Sequence, residues 1–383
     1  MPPSLRHLHF TQSLEPLEGG GLGRAALDLH LQLHQEGFVS RLFTTRAADF
    51  HRQWPEVFQY PRSGPQKAFF SWGLRQEAAC KLANVDVVHG HGFYVYPNWA
   101  VGTQARRQGK PLVYHPQGMF EPWILQRSRL KKRLVLSLFD GENMAQCRLW
   151  RALSDKEAGQ IRRQGFEAPI VVAPNGVRLE ELDAALPAGS ETHLPLTERA
   201  RQRKRLVFMA RLHPKKGLDL LLPAWSRLQP HLADWELLVA GPDEGGYRAT
   251  VEGLIRELDL NGCVTLTGPV TGPSKLALLR SADVFVLPSY SEGVPVAVLE
   301  AMACRVPAVV TRESNIPELE KVGGGWLCAA NAESLCAALG KALNCSEAER
   351  KVRGQTARAL VEKRYTWCRI AASIREACER YCG

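Results

Sequence analysis

Short apolar runs recur along the chain, and the stretches between them carry apolar residues at helical rather than alternating spacing. In the first third, the runs at 5–10, 39–45, 85–91 and 112–115 predict strands. Between the first two, Leu22, Ala25, Ala26, Leu29 and Leu33 fall on one face of a helix spanning 22–36. Strands separated by helices imply right-handed crossovers and a parallel sheet. A second series of the same kind follows at 206–210, 236–240, 264–266, 283–287 and 308–311. The fold class is therefore α/β, with two doubly wound sheets.

The stretch 182–203, rich in Pro, Ala, Gly and charge, is the natural boundary. The predicted division is a first domain over 1–185, a linker over 186–204 and a second domain over 205–364. A final helix over 365–383 presents Trp367, Ile370, Ile374 and Cys378 on one face, which must pack on its own domain or back on the first.

Composition narrows the setting. With 45% hydrophobic and 23% charged residues, the 383-residue chain reads as globular. Its first ten residues lack the apolar core of a signal peptide, and no run reaches the roughly 18–20 apolar residues of a spanning helix. Ten cysteines without a C-x-x-C pair fit free thiols in a reducing compartment, so a cytoplasmic location is expected. The formal charge of +10 calls for an acidic partner such as nucleotide phosphates, nucleic acid or an anionic membrane.

Candidate chemistry gathers where strands end. After the strand at 283–287, Pro288 forces a turn, and Glu292, Gly293, Val294 and Pro295 lead into a predicted helix carrying Glu300. A strand, a tight turn and a helix N-terminus make an anion site. Eight residues of helix span roughly 12 Å, which is wider than the carboxylate separations glycosidases use. Glu292 and Glu300 therefore suit the two ends of one extended ligand. Arg211, Lys215 and Lys216 follow the strand at 206–210, where open α/β sheets bind ligands. Gly19, Gly20, Gly21 and Gly23 lie between the first strand and helix, and suit a phosphate- or sugar-facing loop or a flexible turn. Their spacing departs from the dinucleotide fingerprint, and no acid follows the second strand, which argues against an oxidoreductase.

Two further strand ends carry histidines. His89 and His91 point the same way from one strand, without a carboxylate or Cys to complete a metal set. They read as an active-site rim or as structural polar contacts. His115 and Gln117 follow the next strand. Beyond them, Met119, Phe120 and Trp123 precede a basic stretch with Lys131, Lys132 and Arg133. Residues 101–165 hold 13 Lys and Arg against 5 Asp and Glu, so most of the net charge falls here. The segment reads as a surface for anionic lipid or as a solvated helix face. No nucleic-acid-binding motif accompanies the charge.

Taken together, the glycines before the first helix, Pro174-Asn175-Gly176-Val177, Arg211 with Lys216-Gly217, and Glu292 with Glu300 resemble one family nearly from end to end. It is the retaining nucleotide-sugar glycosyltransferases of the GT-B fold. More narrowly, the resemblance is to the glycosyltransferase family 4 group, with its bacterial mannosyl-, glucosyl- and rhamnosyltransferases of lipopolysaccharide and exopolysaccharide assembly. The resemblance implies two Rossmann-like domains facing across a cleft. It also implies hexose transfer from a nucleoside diphosphate to a saccharide or lipid-linked saccharide, with no cofactor and no divalent metal. Arg211 and Lys216 would clamp the diphosphate, and Glu292 would hold the sugar. Gly293 to Pro295 would meet the phosphate, and Glu300 the ribose. Gly20 and Gly21 would line the phosphate, and Gly268 and Val270 would lie near the base. Many members carry a histidine where this chain has Gln117, with His115 two residues earlier, so either side chain is a candidate to face the sugar. His91 joins them on the acceptor side, and Val294 replaces a common aromatic residue. The rival expectations are a nucleotide-sugar epimerase or phosphorylase of the same fold, and a saccharide- or lipid-binding protein without catalysis.

Overall fold

The computed structural model describes residues 5–15, 18, 20–47, 53–64, 68–126, 139–187, 189, 196, 198–229 and 233–383, leaving aside the side chains of Trp123, Gln126 and Arg199. Two compact units emerge. The first comprises 1–175 with 367–383, and the second 176–366. The chain thus leaves the first unit at Asn175, ten residues ahead of the boundary expected from composition. The reason is local: Val177 and Leu182 are buried in the core of the second unit, so 176–183 already belongs to it.

The first unit holds seven parallel strands in the order β3-β2-β1-β4-β5-β6-β7. They are β1 (His7–Ser13), β2 (Ser40–Arg46), β3 (Val57–Pro61), β4 (Val87–His91), β5 (Leu112–His115), β6 (Leu149–Ala152) and β7 (Ile170–Val172). Alternation along the strands divides the residues cleanly. Leu8, Phe10, Val88, Tyr114 and Trp150 join one core layer. Val87, Val113 and Leu149 join the other, where they pack with Ala25, Leu29 and Leu33 of the helix Gly20–Gln35. The C-terminal helix Trp367–Cys382 packs into that same layer through Trp367, Ile370, Ile374 and Cys378, the face its apolar stripe had marked.

The second unit holds six parallel strands in the order β10-β9-β8-β11-β12-β13. These are β8 (Lys204–Met209), β9 (Trp235–Ala240), β10 (Val264–Gly268), β11 (Val284–Leu287), β12 (Ala308–Thr311) and β13 (Gly325–Cys328). Both orders reverse direction once, between β1 and β4 in the first unit and between β8 and β11 in the second. Ligands of open α/β sheets bind outside the carboxyl ends of the strands at such reversals.

Four strands escaped the sequence reading: β3, β6, β7 and β13. β3 is a half-buried edge ending in a proline, and β6 carries an arginine in its middle. The helix after β11 also starts later than expected. Pro295 is its N-cap and the helix spans Val296–Ala303, so Glu292 lies in the preceding loop rather than in the first turn.

Candidate functional site

In the second unit, the loops leaving β8 and β11 are joined backbone to backbone. Pro214 starts a short turn whose His213 side chain accepts from the Lys215 N–H at 3.0 Å. Gly217 closes it at φ +75°, and a Cβ there would stand 2.0 Å from the Pro288 carbonyl oxygen. Only glycine fits both the conformation and the approach. The Tyr290 N–H donates to the Lys215 carbonyl at 2.9 Å. That clasp brings Lys216 Nζ to Glu292 Oε1 at 2.5 Å, with the two side chains only 14% and 11% accessible.

The loop carrying Glu292 is held from a third strand end. Its N–H donates to the Glu313 carbonyl at 3.0 Å, just past β12. Asn315, in the left-handed region, donates from Nδ2 to the Glu292 and Gly293 carbonyls at 2.6 and 2.9 Å. Thr311 Oγ1 donates to the Ser289 carbonyl at 2.6 Å. Val294 is buried beneath the loop, and the helix that follows Pro295 has no side-chain cap. A preorganised carboxylate and ammonium therefore stand beside an uncapped helix N-terminus at the sheet's reversal point, an arrangement suited to a ligand bearing both hydroxyls and anionic oxygens.

Other expected residues are placed differently. Arg211 is 59% accessible and pairs with Glu244 Oε2 at 2.6 Å, not with the Lys216–Glu292 group. Glu300 accepts from Lys275 Nζ at 2.6 Å. Gly268 lies at φ +72° with open space where a Cβ would point, and Val270 is half-buried against the core. Neither Asn315 nor Lys275 was visible as a site residue in the sequence. Asn315 sits in a Ser-Asn-Ile-Pro turn, and Lys275 is one of many lysines.

In the first unit, Gly20 and Gly21 open the helix after β1, and a Cβ on either would meet nothing within 4 Å. The steric demand falls on Gly23, where a Cβ would lie 2.3 Å from the Ser13 carbonyl oxygen. Gly23 seats the helix on the end of β1 and leaves the two preceding glycines with open approach.

The histidines form a buried ladder across β1, β4 and β5. His9 stands opposite His89, and His91 opposite His115. His7 Nδ1 lies 2.9 Å from His89 Nε2, His89 Nδ1 lies 3.1 Å from His115 Nε2, and His9 Nδ1 lies 3.1 Å from His91 Nε2. Arg151 Nη1 meets His115 Nδ1 at 3.4 Å. A guanidinium only donates, so His115 accepts at Nδ1 and carries its proton on Nε2, and the same logic runs on through His89 to His7. Burial lowers the pKa of each ring, His7 to about 4 and the others in the ladder well below the ordinary value.

This geometry corrects three expectations. His115 is fully buried with both ring nitrogens engaged, so it does not face a substrate. His91 is equally buried and belongs to the ladder, not to a rim. Phe120 is 2% accessible and packs with Phe93 and Trp150 in the core, so it is not a membrane-facing residue. Met119 is half-buried, and its sulfur accepts from the Phe93 N–H at 3.3 Å. Gln117 differs from His115 in being half-buried, at φ +50°, with an Nε2 that has no partner among the described residues. The buried Glu157 carboxylate holds the adjoining Gly118 N–H at 2.5 Å. Lys131, Lys132, Arg133 and the Trp123 side chain lie outside the described residues. Among the described residues, no group of three or more His, Cys, Asp or Glu is arranged to hold a metal ion, and no helix is long and apolar enough to cross a membrane.

Two family models match the chain, Glycosyltransferase Family 4 over residues 19–181 and Glycosyl transferases group 1 over residues 192–359. The amylovoran biosynthesis glycosyltransferase AmsK of Erwinia amylovora is 33% identical over 195 residues, 49% of this chain and 47% of its own length. The chain thus spans about half of that relative. An MMP alpha-(1->4)-mannosyltransferase of Mycolicibacterium hassiacum is 27% identical over 375 residues, 89% of this chain and 86% of its own. Among solved structures, Anabaena HepE in complex with UDP and glucose superposes with a TM-score of 0.77 at 17% identity, covering 98% of this chain and 100% of HepE.

Proposed function

We propose that this chain, which belongs to the GT-B glycosyltransferases of the family 4 type, moves a hexose from a nucleoside diphosphate to a hydroxyl of a growing cell-surface glycan or lipid-linked saccharide, retaining anomeric configuration and using no divalent metal. The observation that carries the reading is the Lys216–Glu292 pair, 2.5 Å apart beside the helix that begins after Pro295. Glu292 accepts hydroxyl groups of the sugar, and Lys216 meets the diphosphate. The names of related proteins support the same reading: HepE was crystallised with UDP and glucose, and AmsK is named for amylovoran biosynthesis. The excess of Lys and Arg over residues 101–165 supports an acceptor presented at an anionic membrane face.

In the reaction, the bond between the anomeric carbon and the diphosphate oxygen breaks, and the electron pair leaves with the oxygen. Lys216 and the helix N-terminus stabilise the growing charge. The exposed Arg211–Glu244 pair is of a kind worth little in water, so a diphosphate draws Arg211 away at small cost. The acceptor oxygen bonds to the anomeric carbon on the face the diphosphate vacates, and its proton passes to the departing phosphate oxygen. Gln117, whose Nε2 has no partner among the described residues, is left as the candidate for the role that His115 cannot take.

Lys216→Ala and Glu292→Ala should each lower diphosphate release in a donor-and-acceptor assay by roughly a hundredfold or more, since one preorganised donor typically supplies about 2.7–4 kcal/mol. Near-normal turnover in either folded variant would sink the assignment.

A further inference from the structure

In the first unit, the helices that follow β3 and β4 begin alike. In Trp72–Lys81, Ser71 caps the first turn by accepting from the Leu74 N–H at 3.3 Å, and its hydroxyl donates to the Pro61 carbonyl at 2.8 Å. That turn therefore starts at the carboxyl end of β3, with Trp72 and Arg75 one turn apart on the same face. In Tyr96–Arg107, which starts just past β4, Tyr96 and Trp99 repeat the spacing. Phe70 joins the two helices, its ring centre 5.1 Å from that of Trp72 and 4.3 Å from that of Tyr96. Trp99 continues the series, 5.6 Å from Tyr96 and 5.5 Å from Phe139. Tyr96 and Trp99 rest on the core, while Trp72 and Phe139 are 54% and 43% accessible. The Arg75 guanidinium lies 5.7 Å from the Trp72 ring centre and 5.8 Å from that of Trp99. Among the described residues, no carboxylate pairs with it.

We infer that this aromatic surface is a platform for the acceptor, and that it takes a glycan bearing carboxylates, of the uronic acid class. The inference rests on the reading of the chain as a transferase of glycan assembly and adds the chemistry of the acceptor. A sugar ring offers a face of C–H bonds, made partly positive by the neighbouring oxygens, which suits the negative face of an indole. Packing accounts for the covered rings, but an indole left more than half accessible gains little from it. Contiguous exposed apolar surface marks a binding site, where a single exposed side chain would not. Two indoles at nearly equal distance also restrain the guanidinium, so its fork is held rather than swinging free. Such a fork meets a carboxylate through two parallel hydrogen bonds, and so picks out an acid at a set distance from the stacked ring. An anionic bilayer would instead call for many mobile cations beside an apolar face that sinks into lipid. The carboxyl end of the strands is also where open parallel sheets bind their ligands.

Ligand-observed NMR titrations of the full chain, without any donor, test the platform with tetragalacturonate, a hyaluronan tetrasaccharide and maltotetraose. The wild-type protein is expected to bind at least one acidic probe about tenfold more tightly than maltotetraose, the worth of one hydrogen bond to a charged group. Trp72→Ala should weaken acidic and neutral probes alike by about tenfold, and Trp72→Phe, which keeps a ring, should lose less. Arg75→Gln should abolish the preference for acid while leaving maltotetraose binding in place. Arg75→Lys should recover only part of that preference, because the charge returns without the fork. Lys216→Ala should bind all three probes as the wild type does. Equal affinity for acidic and neutral probes would overturn the acid selection, and binding that Trp72→Ala leaves unchanged would overturn the platform. If no saccharide binds but vesicles of phosphatidylglycerol and phosphatidylcholine do, in a way that needs Trp72, the surface is a membrane contact and the inference falls. If neither binds, the rings serve packing alone and it falls as well. Hexose transfer by a protein that binds no probe would remove the platform and leave the donor site standing. Binding of the acidic probes through Trp72, with no diphosphate released from any donor, would keep the platform and remove the donor-site reading.

Discussion

The two sheets have the same winding and opposite interiors. In the second unit, β8, β9, β11 and β12 contribute Leu, Val, Phe, Met and Ala to one continuous core, as expected of parallel strands buried on both faces. In the first unit, one face is just as apolar, but the other carries His7, His9, His89, His91, His115 and Arg151 beneath two helices. A buried sheet face thus need not be apolar, provided that its polar groups answer one another. Neutral imidazoles can do so because each offers one donor and one acceptor. That solution works only while the rings stay neutral, and this condition sets the two units apart.

The largest expected difference is in acid. For a buried histidine, the folded-state pKa lies below the unfolded value of 6.5. The folded form therefore binds fewer protons, and its stability is complete above pH 6.5 and lost as the pH falls toward 4. His7 is at about 4, as is His30, buried on the helix Gly20–Gln35 with Nδ1 2.8 Å from Ser40 Oγ. Each withdraws roughly 3 kcal/mol over that window, and the four more deeply buried rings of the ladder act in the same direction. The buried Asp140, whose Oδ2 accepts from the Tyr94 N–H at 2.8 Å, runs the other way. Burial raises it to about 6, so taking up a proton relieves the fold, but it offsets only about one histidine. Hydrogen exchange at pH 7.5 and pH 5 should show β1, β4 and β5 losing protection while β8 to β12 keep theirs. Equal loss in both sheets would remove the distinction.

A smaller but sharper difference concerns Arg151. Its Nε donates to the Ala173 carbonyl at 2.8 Å, and Nη2 donates to the Pro174 carbonyl at 2.6 Å and to Asn175 Oδ1 at 3.0 Å. The guanidinium lies 5.7 Å from the centre of the Trp367 ring. Burial pulls its pKa down only to about 10, so it stays charged. It thereby fastens the last residues of the first unit before Gly176 and the first residue after the chain returns. Arg151→Met strands all of those acceptors together with His115 Nδ1. It should destabilise the first unit by about 3–5 kcal/mol, seen as a selective loss of exchange protection in β4 to β7. Arg151→Lys should recover little of this, because one ammonium cannot span the fork.

The contrast also explains what the sequence disclosed. Five of the second unit's six strands stand out as apolar runs: β8, β9, β11 and β12 because a doubly buried parallel strand admits little else, and the half-buried edge strand β10 through Val264 and Leu266. The missing one, β13, is the edge strand on the other side, the four residues Gly-Trp-Leu-Cys. In the first unit, β6 was hidden by its arginine, and the ladder by its spread over three strands far apart in the chain. The alternation His7-Leu-His9 and His89-Gly-His91 was the available signal, but it reads as a half-exposed strand until both faces are known to be covered. Lys216 and Glu292 were legible because each sits at a strand end beside glycine or proline. Lys275 and Asn315 were not, since nothing local distinguishes a lysine that meets a glutamate or an asparagine that bonds two distant carbonyls.

The finest test converts part of the first sheet into the second. His9 and His91 pair with each other at 3.1 Å, and their remaining ring nitrogens have no partner among the described residues. His9→Leu alone leaves His91 Nε2 buried and unsatisfied, which should cost about 1–3 kcal/mol. Adding His91→Leu removes the orphan, and replacing both members of a polar pair by apolar groups of similar shape can be nearly neutral. The double variant should therefore be more stable at pH 7.5 than the single, with a coupling of about 0.5–3 kcal/mol read from exchange protection in β1 and β4. It should also hold that protection to lower pH than the wild type, because two rings that must stay neutral are gone. A double variant that loses as much as the sum of the two singles would mean that the ladder's packing, rather than its mutual hydrogen bonding, keeps histidine in this sheet.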